Sequence, residues 1–188
     1  MRVISGSMKG RRLHAVPGTN TRPTTDKIKE SIFNMIGPYF DGGQVLDLFA
    51  GSGSLGIEAI SRGMDHGYFI DKDSKALATI KRNLEDLRIE DQASVFRNDS
   101  KRALAALRKN ETSFDLILLD PPYFKQELIA LLTIIDEGKM LKEDGQIVVE
   151  HSKEVELPDE IGNLTRKRLE RYGITYISIF VEGRSDSE

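Results

Sequence analysis

The sequence predicts an α/β protein, a parallel sheet with helices on both faces, and three observations carry that expectation. From residue 44 onward, strand-like and helix-like stretches alternate, the order by which βα units lay parallel strands side by side. The stretch "FDLILLDPPYF" (114–124) holds a continuous apolar run, Leu116, Ile117, Leu118 and Leu119, of the kind that fills a strand covered on both faces. In "LDLFAGSGSLG" (46–56) a glycine-rich turn stands where the first strand of the series passes into the first helix.

Ahead of the sheet, "RVISGSMKGRRLHAV" (2–16) reads as a hairpin with glycine and serine at its bend. Residues 23–37 open on a threonine cap and carry Ile28, Ile32, Met35 and Ile36 on one helical face. "QVLDLF" (44–49) is the first strand, residues 54–63 a short helix and "HGYFID" (66–71) the second strand. Across residues 74–87, Leu77, Ile80, Leu84 and Leu87 recur at spacings of three and four, which is one face of a helix. Residues 93–98 form a strand, 100–109 a helix, 114–120 the buried strand, 125–138 a helix ended by Gly138, and 145–151 a further strand. Residues 164–173 and 174–183 meet at Tyr172-Gly173 and read as an antiparallel pair at one sheet edge. The expected organisation is a basic arm over residues 1–25 followed by one α/β domain over residues 26–188.

A chain of 188 residues suits one domain whose core needs no covalent staple. The absence of cysteine excludes disulfides, iron–sulfur clusters and thiolate zinc sites, and it accords with a reducing cytoplasm, the expected location. His14, His66 and His151 lack ligand spacing, so no metal is expected. The first residues are too polar for a secretory signal, and no apolar run approaches the roughly 18 residues of a membrane span. The formal charge of −3 divides unevenly: residues 1–29 carry +6, from seven Lys or Arg against Asp26, and the remainder carries −9. A basic segment on an acidic body points to an anionic partner, with a merely solvated terminus as the bland alternative.

Gly51, Gly53 and Gly56 satisfy G-x-G-x-x-G, and Asp71 ends the second strand about 20 residues after the first of them. Alone, that is a dinucleotide fingerprint. Asp47 argues for a different ligand, because a pyrophosphate seeks bare N–H groups and a helix N-terminus, and a carboxylate beside it opposes binding. S-adenosylmethionine carries no phosphate, but it has an ammonium and a sulfonium that an acid at a strand end attracts. The expected cofactor is therefore S-adenosylmethionine, with Asp47 toward its cationic end and Asp71 accepting from its ribose hydroxyls. Asp99, at the end of the third strand, can meet the adenine amine, although beside Ser100 it reads equally well as a helix cap.

The tetrapeptide D-P-P-Y, residues 120–123, ends the fourth strand, expected beside the first with its acid at the carboxyl edge. Pro121 and Pro122 lack N–H groups and fix φ near −65°, so the chain leaves the sheet in a rigid shape. An exocyclic amine of a nucleobase is a poor nucleophile, since its lone pair is spread into the ring. Its catalysis requires acceptors on the amine hydrogens and a donor held in line. Asp120 supplies one acceptor, the Pro121 carbonyl another, and the ring of Tyr123 can stack on the base. A base held in a stem first has to be flipped out.

On these residues the sequence resembles the S-adenosylmethionine-dependent methyltransferases with a seven-stranded, Rossmann-like sheet. Those that act on exocyclic amines carry a D/N-P-P-Y/F motif. More narrowly, "RVISGSMKGRRL", "TRPTTDKIKESIFN", "DLFAGSGSLGIEAISRG", "IDKD" and "FDLILLDPPY" resemble the RsmD-type bacterial enzymes, which methylate the N2 amine of one guanine in 16S ribosomal RNA. The resemblance implies that activity, with ribosomal RNA or the assembling small subunit as partner and the chain acting as a monomer. The expected cofactor-binding residues are Asp47, Phe49, Gly51, Ser52, Gly53, Asp71, Lys72, Asp99 and Ser100. The expected catalytic residues are Asp120, Pro121, Pro122 and Tyr123. Lys9, Arg11, Arg12, Arg22 and Thr24 are expected to meet RNA. Asp71 departs from the glutamate of many relatives.

On residues alone, other readings stay open. A nicotinamide oxidoreductase would share the glycine pattern but leave D-P-P-Y without a role. A catalytically silent RNA-binding module would keep this fold. Because D-P-P-Y reads an amine rather than a base, adenine N6 and guanine N2 are separated only by the resemblance.

Overall fold

The structure is a computed structural model that describes residues 1–18, 25–121 and 125–183. Helix α1 (Asp26–Ile36) starts at Thr25, whose hydroxyl accepts the Ile28 N–H at 3.2 Å, the cap expected of a threonine there. The alternating series follows as β1 (Gln44–Asp47), α2 (Ser54–Ser61), β2 (His66–Asp71), α3 (Ser74–Leu87), β3 (Ala93–Arg97), α4 (Ser100–Lys109), β4 (Phe114–Leu119), α5 (Lys125–Glu137) and β5 (Leu141–Ser152). The tail adds β6 (Glu160–Ile161), β7 (Leu164–Tyr172) and β8 (Thr175–Glu182).

All eight strands lie in one sheet, in the order β3-β2-β1-β4-β5-β8-β7-β6. Strands β1 to β5 pair in parallel, and β8 returns antiparallel between β5 and β7. The seven strands expected become eight because Glu160–Ile161 folds back on Leu164 and Thr165 through Gly162, at φ 58°. Two residues show no apolar period, so nothing in the sequence announces that strand. The tail pair forms as expected, except that β6 rather than β7 takes the sheet edge. Strand β5 also begins earlier than expected, at Leu141 opposite Phe114. The ladder resumes with Leu116 opposite Gln146, and the residues between bulge out through Asp144 at φ 62°.

The alternation of side chains splits the core in two. Ile117, Leu119, Ile147 and Val149 join Leu104, Leu128 and Leu132 under α4 and α5. Val45, Leu116, Leu118 and Val148 pack under Ile32, Phe33 and Ile36 of α1 on the opposite face. Helices therefore cross on one face before β3 and on the other after it, which puts the reversal of strand order between β1 and β4. In α1 the buried residues are Lys29, Ile32, Phe33 and Ile36, with Ile28 and Met35 half-buried at the flanks.

The N-terminal residues form a hairpin-like loop with a single bridge, Arg2 to Arg12, and the pair Val3 N–H to Arg11 and Gly10 N–H to Val3. It lies on the body. Val3 and Leu13 are buried with Ile57, Ile60, Ile80 and Leu84 of α2 and α3. Both Glu58 carboxylate oxygens accept the Ile4 N–H, at 3.0 and 3.1 Å, and Ser61 receives Ser7 and Met8. Gly6 makes that approach possible, since a Cβ there would stand 1.9 Å from the Ser61 carbonyl oxygen.

Candidate active site at the carboxyl edge

Strand β1 delivers Asp47 to the carboxyl edge, 4 % exposed, with one oxygen accepting the Gly56 N–H at 3.0 Å. Burial, with the Asp71 charge adding to it, pushes the Asp47 carboxyl up to about 7, against the pull of the Gly56 hydrogen bond. Beyond Asp47 the chain hooks onto both neighbouring strands, Leu48 N–H to Leu118 and Ala50 N–H to Ile70. Gly51 then turns at φ 56° and Gly53 at φ 83°, directly before α2. Gly56 has a different reason. A Cβ there would stand 2.5 Å from the Phe69 ring and 3.2 Å from the Asp47 carboxylate, so only glycine lets α2 lie this close to β1 and β2.

Asp71, at the end of β2, accepts the Gly51 N–H at 2.9 Å through one oxygen and the Asp73 N–H at 2.9 Å through the other. It thereby fixes the glycine turn, and a carboxylate with about four acceptor directions keeps room for hydroxyls. Asp99 accepts the Lys101 and Arg102 N–H groups at 3.2 Å as the cap of α4, while the Asn98 N–H binds the Asp71 carbonyl. Asp71 and Asp99 thus stand on adjoining strand ends. Phe49 is half-buried against the α4–α5 core, Ser52 lies in the turn, and Ser100 is buried at the start of α4. Lys72 is exposed, with its carbonyl accepting from Arg97.

The buried carboxyl of Asp47 at a strand end suits a cationic group. The space over Gly51 is open, since a Cβ there would meet nothing within 4 Å. These residues fit S-adenosylmethionine: Asp47 for the cationic end, Gly51 and Gly53 for close approach of the backbone, and Asp71 for a ribose.

Asp120 follows β4 and is exposed at the rim, with Pro121 half-buried after it. Pro122, Tyr123, Arg22 and Thr24 lie outside the described residues. Val149 is opposite Leu119, so the next residue of β5, Glu150, comes abreast of Asp120, and the two carboxyl groups share a hydrogen bond. The surrounding protein, then the charges of Glu150 and Asp47, hold the Asp120 carboxyl well above the usual carboxylate range. Glu150 was not among the residues expected from the sequence. Its signal there is an acid at the end of "QIVVEH", the strand after D-P-P-Y.

Lys29 is a second unexpected residue. It is fully buried, and its ammonium donates to the Arg2 carbonyl at 2.6 Å and the Ser54 hydroxyl at 2.9 Å, so it ties the N-terminal segment to the start of α2. Burial lowers its pKa. Asn83 makes a parallel tie, donating to Ser52 and His14 carbonyls at 2.9 and 3.1 Å. The neighbouring cleft, about 530 Å³, is lined by Met1, Arg2, Gly10, Arg12, Leu13 and Asp26. Lys9, Arg11 and Arg12 are exposed on that segment, with Arg11 steadied by the Asp86 carbonyl at 2.9 Å. Among the described residues, no helix is long and apolar enough to cross a membrane.

Comparison with known proteins places this geometry among relatives. The model of a family described as "Conserved hypothetical protein 95" matches residues 1–181. "Putative rRNA methyltransferase YlbH" of Bacillus subtilis is 63 % identical over 180 residues, covering 96 % of this chain and 98 % of the relative. "Ribosomal RNA small subunit methyltransferase D" of Haemophilus influenzae is 34 % identical, covering 82 % of this chain and 80 % of the relative. Among solved structures, "Putative methyltransferase yhhF from Escherichia coli" superposes with a TM-score of 0.84 at 27 % identity, covering 98 % of this chain and 99 % of that one.

Proposed function

Because the chain belongs to the family described as Conserved hypothetical protein 95, we propose that it methylates the N2 amine of a guanine in small-subunit ribosomal RNA, with S-adenosylmethionine as donor. The observation that carries this reading is the row of acids along one edge: Asp47 on β1, Asp120 after the neighbouring β4, and Glu150 abreast of it on β5. It sets a cation-binding carboxyl beside an amine-accepting one.

S-adenosylmethionine, when bound, supplies an electrophilic methyl group on a sulfonium. Asp47 holds its cationic end, and Asp71 keeps the glycine turn in shape while accepting from the ribose. Asp120 and the Pro121 carbonyl accept the hydrogens of the target amine, which turns its lone pair toward the donor. As the amine nitrogen bonds the methyl group, the methyl–sulfur bond would break with its electron pair left on sulfur as a neutral thioether, and the Asp120 carboxylate would take the proton that the amine sheds. Tyr123 supplies the expected stacking face. Lys9, Arg11, Arg12, Arg22 and Thr24 meet the RNA backbone, and the chain acts as a monomer in the cytoplasm, where small subunits assemble.

The test is to incubate the protein with tritiated S-adenosylmethionine and small ribosomal subunits from cells lacking its gene, then map the label. Label on the N2 of one guanine is expected. Label on an adenine N6, or none on subunits or their free RNA, would overturn the reading.

A further inference from the structure

The β7–β8 hairpin brings its turn to the same edge. Strand β8 runs against β5 with His151 opposite Tyr176 and Ser152 opposite Thr175, so Gly173 and Ile174 stand where β5 ends. Gly173 makes the turn at φ 62°. Ile174 beside it is 64 % exposed, the most open large apolar side chain among the described residues.

The turn has a cationic support. The Tyr176 ring meets His151 edge-on at 5.9 Å, and Arg171, its cross-strand partner, lays its guanidinium over that ring at 5.3 Å. A guanidinium held over a ring keeps its edge N–H groups for a phosphate and can present its outer side to a base. The surrounding strand is basic, with Arg166, Lys167, Arg168 and Arg171 against Glu170. Strand β8 lies two strands from β4, ~10 Å across the sheet; Tyr176, opposite His151, faces the α4–α5 side, while Ile174 at the turn reaches past the end of β5 on the edge where Asp120 stands.

A base that reaches Asp120 has left its stack, and the gap behind it costs stacking energy unless something fills it. Apolar wedges inserted between base steps perform that task in nucleic-acid complexes. Resting on the function proposed above, we propose that the β7–β8 hairpin is a second RNA contact. Ile174 enters the space vacated by the target guanine, and Arg171, backed by Tyr176, takes the flanking nucleotide.

Ile174→Ser, Ile174→Leu and Arg171→Ala separate these roles, with subunits from cells lacking the gene as substrate. In single turnovers at saturating subunits, Ile174→Ser should slow methyl transfer roughly tenfold, the scale of one lost apolar contact, and Ile174→Leu should recover most of the rate. Arg171→Ala should mainly raise the KM for subunits. Affinity for S-adenosylmethionine and the melting temperature should not move. On subunits reconstituted with an abasic nucleotide beside the target guanine, the stack is already broken, and Ile174→Ser should approach wild type. A wild-type rate for Ile174→Ser on intact subunits, or an equal deficit on intact and abasic ones, would overturn the wedge. Wild-type protein that labels no subunit would instead strike the function on which the wedge rests.

Discussion

Asp120, directly after β4, and Glu150, near the end of the neighbouring parallel β5, come abreast of each other and share a hydrogen bond between two carboxyl groups. Such a bond needs a proton between them, since two carboxylates at this distance repel. The Asp47 charge raises the pKa of the Asp120 carboxyl further. A pair that retains one proton presents an acceptor to an amine and has a place for the proton the amine sheds. On the function proposed above, Glu150 would act on the chemistry through Asp120, as a positioning residue.

Glu150→Gln keeps a donor to Asp120 but removes a like charge, so the Asp120 pKa should fall. The sign follows from the cause: the charge that raised the pKa is gone, and an amide N–H favours the carboxylate. The acidic limb of the kcat/KM profile, where Asp120 becomes protonated, should move to lower pH. A limb that stays in place would remove Glu150 from the mechanism. Asp120→Ala should retain cofactor affinity and lose on the order of 10² to 10⁴ in rate.

Asp47 predicts a pH-dependent affinity for S-adenosylmethionine. Its carboxyl titrates at about 7 without a cation beside it, and a bound ammonium or sulfonium favours the ionised form. Binding should release a proton below neutrality, so the affinity should rise with pH up to about 7, by at most roughly tenfold per unit, and level off above it. Calorimetry in two buffers of different ionisation enthalpy reads the proton release directly. A flat affinity from pH 6 to 8, with no proton released, would detach Asp47 from the cationic end. NAD(H) in the same cell should give no heat.

Lys29→Met should loosen the join between the N-terminal segment and the glycine turn. It leaves the Arg2 carbonyl and the Ser54 hydroxyl without the ammonium that bridges them. A cost of about 1 to 3 kcal/mol is expected in urea unfolding. Affinity for S-adenosylmethionine should weaken too, because Ser54 begins α2 directly after Gly53. Unchanged stability would mean that the two acceptors find water or other partners.

The glycine turn, Asp47 and Asp71 were legible in the sequence because they belong to consecutive βα units, where spacing along the chain fixes spacing at the edge. Glu150 was not. Its place depends on the register of β5 against β4, and "QIVVEH" read alone gives an ordinary strand ending in a polar residue. Lys29 sits three and four residues before Ile32 and Phe33, on the buried stripe of α1, but a lysine in a helix is normally assigned to solvent. The acceptors that make its burial tolerable come from Arg2 and Ser54, on other parts of the chain. Asp99 was readable two ways from the sequence, and its carboxylate caps α4 while its strand end adjoins that of Asp71. The same separation applies to the N-terminal segment. Its charge is visible in composition, whereas its seat on α2 and α3 comes from Val3 and Leu13 and from Glu58, far along the chain.

The N-terminal segment should serve as the handle for RNA. It carries the +6 of residues 1–29 on a body of −9, which would otherwise repel a polyanion. Lys9, Arg11 and Arg12 are exposed on a loop held to the body at Glu58, Ser61 and Lys29, so their charges are presented from a fixed platform. Phosphate contacts release counterions, and affinity for single-stranded RNA should fall with salt at a log–log slope of about −0.7 per contact. Replacing Lys9, Arg11 and Arg12 together with Ala should flatten that slope by about two units and raise the KM for subunits. None of the three contributes to the glycine turn, so affinity for S-adenosylmethionine should stay where it is. A salt titration of subunit binding, wild type beside the triple variant, makes the measurement. Equal slopes for the two proteins would mean that these cations do not meet phosphate and that the charge of the segment only solvates it.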